Sequence, residues 1–419
     1  MKIRLPSSPT RGEGRLGGRQ SRGGRPSAPT ELSKQWAGYL CNGQRITDGR
    51  LLYLKNLKLI HFRSFSSMEV EFIRGVNLIY GPNAVGKTNL LESIHILSNL
   101  KSFRTPGISE LIQWDSDSAS ILGEISSHEG GSKSLAVLVE PNKRTAWVHG
   151  KRAYPKEYLS LFPTLTFVPD DLGMVKGPPP ERRSFMDKGT FQLYPTYWAD
   201  LSEYNQILKQ KNALLKQEPL LGGSTRSDLE LLPILNEQMY KVGSKIIQSR
   251  LEYLKKLKVA LQKVYASWLP GHENIRISYK STLGKDVLEV DQEGIQRLYR
   301  AALQKMEEKE QRYQTSLIGP HRDDLDIFLN ERPIRQFGSQ GQQRSAILAL
   351  KLAASEVYFE HHGEYPALIL DDVTSELDPS RNEGLFTYLR KDFQVFISST
   401  VKLSYLGNLA PCSFLELPS

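Results

Sequence analysis

The sequence predicts an α/β fold interrupted by a long antiparallel helical insertion, and three observations predict it. Residues 75–80 form a short apolar run rich in β-formers, which passes through a glycine-flanked turn into a helix-spaced run ending near Leu97. Residues 366–370 form a second such run, stopped by the adjacent carboxylates Asp371 and Asp372. Between the two, residues 181–217 and 228–269 carry apolar side chains at helical spacing over lengths that strands do not reach.

The turn after residue 80 reads Gly81-Pro82-Asn83-Ala84-Val85-Gly86-Lys87-Thr88, the G-x-x-x-x-G-K-T spacing of a phosphate-binding loop. Glycines let backbone N–H groups turn inward around phosphate oxygens. Lys87 brings a point charge to the β- and γ-phosphates, and the Thr88 hydroxyl is a ligand for Mg²⁺. The helix that follows, with Leu90, Leu91, Ile94 and Leu97 on one face, points its positive end at the anion. A plain strand-to-helix turn explains the glycines but not the Lys and Thr after them. Gly81 to Thr88 are therefore the candidate nucleotide-binding residues.

Composition sets the class. At 419 residues, 39% hydrophobic and 24% charged, the chain is long enough for more than one domain. No apolar run approaches the roughly 20 residues of a membrane helix, and Cys41 and Cys412 lack metal-ligand spacing, which fits a reducing compartment. The net charge of +9 is unevenly placed. Residues 1–50 hold ten basic and three acidic residues, +7, which leaves +2 for the remaining 369 residues. This Gly-, Pro-, Ser- and Arg-rich start cannot bury a core and is expected to be disordered. A nucleic-acid-binding tail and a transit peptide are two readings of it. An over-extended translation start is the one favoured, because regular patterning begins at Leu51.

From Leu51 the chain reads as a strand carrying Leu57, Leu59, Ile60, Phe62 and Phe65, then a second strand at 70–72, then the phosphate-loop unit. Short alternating pieces over 103–150, with a turn at 129–132, suggest antiparallel strands, and 165–168 suggests another. On the second long helix, Leu235, Met239, Val242, Ile246, Ile247, Leu251, Leu254, Leu257, Leu261 and Val264 fall on one half of the circumference at 100° per residue. Lys241, Lys245, Lys255, Lys256 and Lys263 gather opposite, while Arg250 falls among the apolar positions. Leu201, Tyr204, Leu208 and Leu215 give the first helix a matching seam, and 219–225 is the turn between the helices. The lysine stripe has an ordinary explanation, a solvated helix face, and a sharper one, contact with nucleic acid. A strand at 275–279 and a polar helix at 293–311 complete the insertion.

Asp371 at the end of a strand beside the phosphate loop is suited to hold Mg²⁺, and Asp372 to orient or deprotonate an attacking water. Upstream, Ser339-Gln340-Gly341-Gln342 opens a helix. Ser339 with Gln342 satisfies a capping box, and a capped helix N-terminus is also a second phosphate site. These parts resemble those of an ABC-type ATPase: Walker A, signature, Walker B and the D-loop 375–378. The resemblance narrows in the details. Phe337-Gly338-Ser339-Gln340-Gly341-Gln342-Gln343-Arg344, Gly319-Pro320-His321-Arg322-Asp323-Asp324, Glu181-Arg182-Arg183-Ser184-Phe185-Met186-Asp187 and Lys209-Gln210-Lys211-Asn212-Ala213-Leu214-Leu215-Lys216 are similar to motifs of the RecF family of recombination and repair proteins. The resemblance runs from about Leu51 to the C-terminus.

That resemblance implies an ATPase head at 51–176 and 313–419, with the helical arm at 177–312 inserted into it. It implies ATP and Mg²⁺ as cofactors, a head-to-tail homodimer with two ATP at its interface, and cytoplasmic action on single-stranded, gapped or duplex-junction DNA with RecO and RecR partners, supporting recombinase loading and the SOS response. Ser339, Gln340, Gly341 and Gln342 would meet the partner chain's nucleotide, with Lys87 and Asp372 catalytic. Ser398, Ser399 and Thr400 stand where transporters place a His, so hydroxyls would sense the γ-phosphate, and turnover is expected to be slow and stimulated by DNA. An SMC-type protein needs several hundred heptad residues where about 130 are available, and a transporter subunit lacks the arm. A DNA-binding module with negligible turnover stays open.

Overall fold

The structure, a computed structural model, describes residues 53–126, 131–216, 226–268, 273–377, 379–389, 393–404, 406 and 411–418. The expected features at 1–51, 129–130, 219–225 and Asp378 lie outside the described residues. The chain falls into two compact units. One comprises the chain up to Phe167 with Pro366–Val373 and Leu389–Ser419, the other Val168–Tyr365 with Thr374–Tyr388.

The first unit holds two sheets. Strands β1 (Tyr53–Phe62), β2 (Phe65–Glu71), β4 (Ala119–Ser126), β5 (Ser132–Glu140), β6 (Lys143–Val148) and β7 (Lys151–Ala153) form an antiparallel sheet in the order β2-β1-β4-β5-β6-β7. Strands β3 (Val76–Tyr80), β8 (Thr164–Phe167), β12 (Ala367–Leu370), β13 (Val395–Ser399) and β14 (Cys412–Glu416) form a parallel sheet in the order β14-β3-β13-β12-β8. Near-continuous apolar runs such as 367–370 belong in a parallel sheet covered on both faces, and all four residues of β12 are buried. Helix α1 (Lys87–Asn99) shares one apolar cluster with both sheets, including Leu57, Leu90, Ile94, Ile121, Ile369 and Phe396. Full burial of each such side chain is worth about 1.5–3 kcal/mol.

One expectation here is corrected. The second strand begins at Phe65, five residues before the expected 70, and pairs with β1 from Phe62↔Phe65 to Asn56↔Glu71. Its first half reads polar because it shows one face to solvent. Met68 and Val70 point into the core, while Ser66, Glu69 and Glu71 are exposed.

The second unit is mainly helical. Helices α2 (Pro179–Leu193), α3 (Tyr197–Lys216), α4 (Arg226–Trp268) and α5 (Gln292–Tyr313) pack with a three-stranded sheet, β9 (Ile275–Lys280), β10 (Asp324–Leu329) and β11 (Arg332–Pro333). Helices α6 (Gln340–His362) and α7 (Pro379–Tyr388) complete it. The single helix expected over 181–217 is two helices. Pro195 lacks an N–H and its ring excludes the preceding turn, and Tyr194, the residue before it, has left helical geometry at φ −125°, ψ 88°. On α4 the expected apolar arc is buried, with Leu235 and Leu251 at its half-buried margin. It meets α3 through Tyr197, Tyr204, Ile207, Met239, Val242 and Ile246.

Candidate nucleotide-binding site

The loop between β3 and α1 has the shape its residue types suggest. Gly86 caps α1 at φ 102°, a conformation that strains any residue with a Cβ. A Cβ there would also stand 2.8 Å from the Phe65 ring. Ala84 is left-handed as well, at φ 69°, and such alternations of backbone hand form concave N–H nests for anions. Lys87 Nζ donates to the carbonyl oxygens of Gly81 (2.8 Å) and Pro82 (2.6 Å), which folds the ammonium over its own loop.

Thr88, on the first turn of α1, donates from Oγ1 to Asp371 Oδ1 at 3.2 Å. Asp371 follows β12 and is 6% exposed. Its second support comes from the neighbouring strand β13, where Ser398 Oγ donates to Asp371 Oδ1 (2.6 Å) and accepts from the Asp372 backbone N–H (2.8 Å). Burial pushes the Asp371 carboxyl above the usual carboxylate range, and the hydrogen bonds from Ser398 and Thr88 pull it back. Asp372 is left-handed at φ 52°, a conformation that Asp tolerates better than most residues.

Ser398 also has a structural task beside the one expected of it. Its hydroxyl joins the Asp371 carboxylate to the backbone N–H of Asp372, and Ser399 Oγ accepts from the Val401 N–H at 3.2 Å. Of the three hydroxyls, that of Thr400 is exposed. A hydroxyl beside a carboxylate is a hard-oxygen pair that suits Mg²⁺. Among the described residues no group of three His, Cys, Asp or Glu could hold a metal ion, so an ion here would depend on Thr88, Asp371 and the phosphates themselves.

A frame that sequence reasoning missed lies beside this loop. Glu92 on α1 is fully buried, and Arg63 at the β1–β2 turn grips it with two bonds of 2.9 Å. Ser102 Oγ donates to Glu92 Oε1 at 2.5 Å, and Arg104 stands 3.8 Å from Oε2 while donating to Asn89 Oδ1 at 2.8 Å. Asn89 in turn donates to Ser64 Oγ at 3.0 Å. No local signal marked it: at 100° per residue Glu92 falls about 100° beyond Leu91, outside the arc of Leu90, Leu91, Ile94 and Leu97.

In the second unit Ser339 caps α6 as expected. Its Oγ accepts from the Gln342 N–H (3.2 Å) while its own N–H donates to Gln342 Oε1 (2.9 Å). Ser339 and Gln340 are exposed, and Gly341 and Gln342 are half-buried. The lysines at 241, 245, 255, 256 and 263 are all exposed, but Lys241 is engaged by Glu237 at 2.7 Å.

Two of the motifs met in the sequence lock together in the same unit. Arg182 makes a bidentate pair with Asp324 (2.7 and 2.9 Å), and Arg183 donates to the Asp323 carbonyl oxygen (3.0 Å). Arg250, 1% exposed among apolar neighbours, donates to Asp187 Oδ1 (2.9 Å) and to the Pro320 carbonyl oxygen (2.8 Å). Gly319 sits at φ 128°, where a Cβ would stand 1.9 Å from the Tyr299 hydroxyl. Lys211 of the arm motif pairs with Glu310 at 2.6 Å, both buried. Burial pushes the Lys211 ammonium below its usual value, and Glu310 pulls it back.

Comparisons with known proteins give the family. Residues 53–406 match the model of the RecF/RecN/SMC N-terminal domain. The DNA replication and repair protein RecF of Bacillus subtilis is 38% identical over 350 residues, covering 83% of this chain and 93% of that protein. RecF of Ligilactobacillus salivarius is 38% identical over 352 residues, covering 83% and 91%. A solved structure of the recombination mediator protein RecF with ATP, in the RecFOR pathway, superposes with a TM-score of 0.76 at 34% identity over 86% of this chain and 95% of that one. The Smc head domain of Pyrococcus furiosus, at 16% identity and a TM-score of 0.52, shares the fold. By the family model over most of its length and by these relatives, this chain belongs to the RecF family of DNA replication and repair proteins.

Proposed function

We propose that the protein is an ATP-switched DNA-binding protein of recombinational repair and replication restart, with an ATPase head (51–176 and 313–419) carrying the arm 177–312. The observation that carries this reading is the Thr88–Asp371–Ser398 chain, which joins the phosphate loop to the paired carboxylates across 283 residues of sequence. Gly81 to Thr88 hold the triphosphate, with Lys87 on the β- and γ-phosphates. Thr88 and Asp371 hold Mg²⁺, which supplies charge neutralisation at the phosphates. Asp372, fixed by Ser398 through its backbone, orients the attacking water. Ser339, Gln340, Gly341 and Gln342 complete the site on a second copy of the chain, so that two ATP molecules are held between two protomers. Hydrolysis is slow and releases the dimer.

The exposed lysines of α4 contact DNA, and RecO- and RecR-type proteins are the partners that the RecFOR membership of the solved relatives supports. The site of action is the bacterial cytoplasm; among the described residues no helix is long and apolar enough to cross a membrane. The reading is tested by sedimentation with and without Mg-ATP and gapped DNA. A monomer alone, a dimer with ATP, and a longer-lived dimer in Asp372→Asn are expected. An Asp372→Asn protein that neither slows ATP loss nor prolongs the dimer removes water activation from that residue and leaves a binding module.

A further inference from the structure

We infer that Glu273 is a positioning residue for the signature motif: its carboxylate holds Gln342, and through Gln342 the Ser339 hydroxyl, in the orientation that meets phosphate. The inference rests on the proposed role of that motif. Glu273 lies between α4 and β9, outside every motif in the sequence. Its Oε1 accepts from Gln342 Nε2 at 2.7 Å, and its Oε2 accepts from the Tyr265 hydroxyl on the last turn of α4 at 2.7 Å.

The bonding leaves Gln342 one consistent orientation. Its Oε1 must face the Ser339 N–H to close the capping box, which aims its NH₂ away from the cap and at a carboxylate. Ser339 Oγ accepts from the Gln342 N–H, so the hydroxyl proton stays available for an anion. A charge-assisted bond to Glu273 is stronger than one between neutral groups. Without it the Gln342 side chain is held only through the Ser339 N–H, and that side of the cap is free to turn away. The end of α4 also reaches the motif by a second route. Trp268 Nε1 donates to the Arg381 carbonyl oxygen (2.8 Å), Arg381 Nη1 to Ser345 Oγ (2.7 Å), and Ser345 Oγ to the Gly341 carbonyl oxygen (2.9 Å). The motif is therefore braced from the base of the arm, and Glu273 is the brace that touches its glutamine.

The test uses the full chain with Mg-ATP and reads two quantities, nucleotide affinity of the dilute monomer and the dimer dissociation constant with ATP. In Glu273→Ala the dimer constant is expected to weaken about tenfold, the size of one missing charge-assisted bond, with monomer affinity within about twofold of the parent. Glu273→Gln keeps an acceptor for Gln342 and a partner for Tyr265, so it is expected to restore dimerisation. A Glu273→Ala protein that dimerises like the parent overturns the inference. So does one whose monomer affinity or unfolding midpoint falls in step with dimerisation, because that marks general damage. Ser339→Arg separates this failure from that of the underlying reading. If Ser339→Arg also dimerises normally, the motif itself has no role in the dimer; if it alone fails, only Glu273 was misassigned.

Discussion

The phosphate loop of the first unit and the charged junction of the second are built alike and finish differently. Each joins charged motifs far apart in sequence, Thr88 to Asp371 across 283 residues and Arg182 to Asp324 across 142. At the loop, Lys87, Thr88 and Asp372 stay half-exposed. At the junction, Arg182, Arg250 and Asp323 are buried, and their donors and lone pairs are spent on protein groups. Asp323 accepts from the Tyr279 hydroxyl (2.5 Å) and the Thr282 N–H (2.7 Å), and Arg250 is gripped by Asp187 and a carbonyl oxygen. A charged motif is therefore open to a ligand where its polar groups stay accessible to solvent, and serves the fold where they are buried against protein partners.

The sharpest way to break this contrast is a pair of deletions. Arg250→Ala leaves the half-buried Asp187 and the buried Pro320 carbonyl oxygen beside a void, and removal of one partner of such a pair costs about 3 kcal/mol, the low end for a fully buried one. Chemical unfolding should show that loss. Lys87→Ala should leave the unfolding free energy within about 0.5 kcal/mol while ATP affinity falls roughly 30- to 150-fold, as expected when a charge-assisted bond of about 2–3 kcal/mol is removed. Comparable stability losses in the two variants would erase the distinction.

The same contrast explains what was legible in the sequence. The face of α1 was readable because Leu90, Leu91, Ile94 and Leu97 repeat at the helical period, and the phosphate loop because its chemistry admits few residue types. The start of β2 was not, since Ser66 and Ser67 resemble a loop until β1 is seen opposite them. Pro195 was a readable stop that the long apolar seam obscured. Arg182, Arg183, Asp323 and Asp324 were visible as motifs, but nothing local says that an arginine at 182 will find a carboxylate at 324. Glu92 and Glu273 were invisible for the same reason. A lone carboxylate looks like surface until its donors arrive from elsewhere in the chain.

His321 sharpens the comparison by titration. It lies in the junction, partly buried, with Nδ1 accepting from the Tyr204 hydroxyl (2.7 Å) and Nε2 donating to the Ser316 carbonyl oxygen (3.3 Å). Burial, with Arg322 nearby, pushes its pKa down to about 4. The folded state thus refuses a proton that the unfolded chain accepts near 6.5. Its contribution to stability is full above pH 6.5, declines as pH falls, and is gone below about 4, a loss of about 3 kcal/mol. His321→Gln should flatten that part of the profile measured by unfolding between pH 4 and 7. The phosphate loop contains no such group, so monomer ATP affinity should not follow the His321 slope.

The smallest expected effects lie within the lysine stripe of α4, where the same criterion applies to neighbours on one helix. Lys241 is already engaged by Glu237 one turn earlier, and that carboxylate holds its ammonium above the usual value. Lys255 and Lys256 make no ion pair among the described residues. If DNA is read by cations that have charge left over, Lys255→Gln with Lys256→Gln should weaken DNA binding a few-fold. It should also lower the slope of log affinity against log salt by about 1.5, near 0.7–0.9 for each phosphate no longer neutralised. Lys241→Gln should change the slope by less than about half a unit, because Glu237 already neutralises its charge. Salt titrations of the three proteins on gapped DNA decide it. Equal slopes for Lys241→Gln and the double variant would mean that position on the helix, and not the availability of charge, governs contact with DNA.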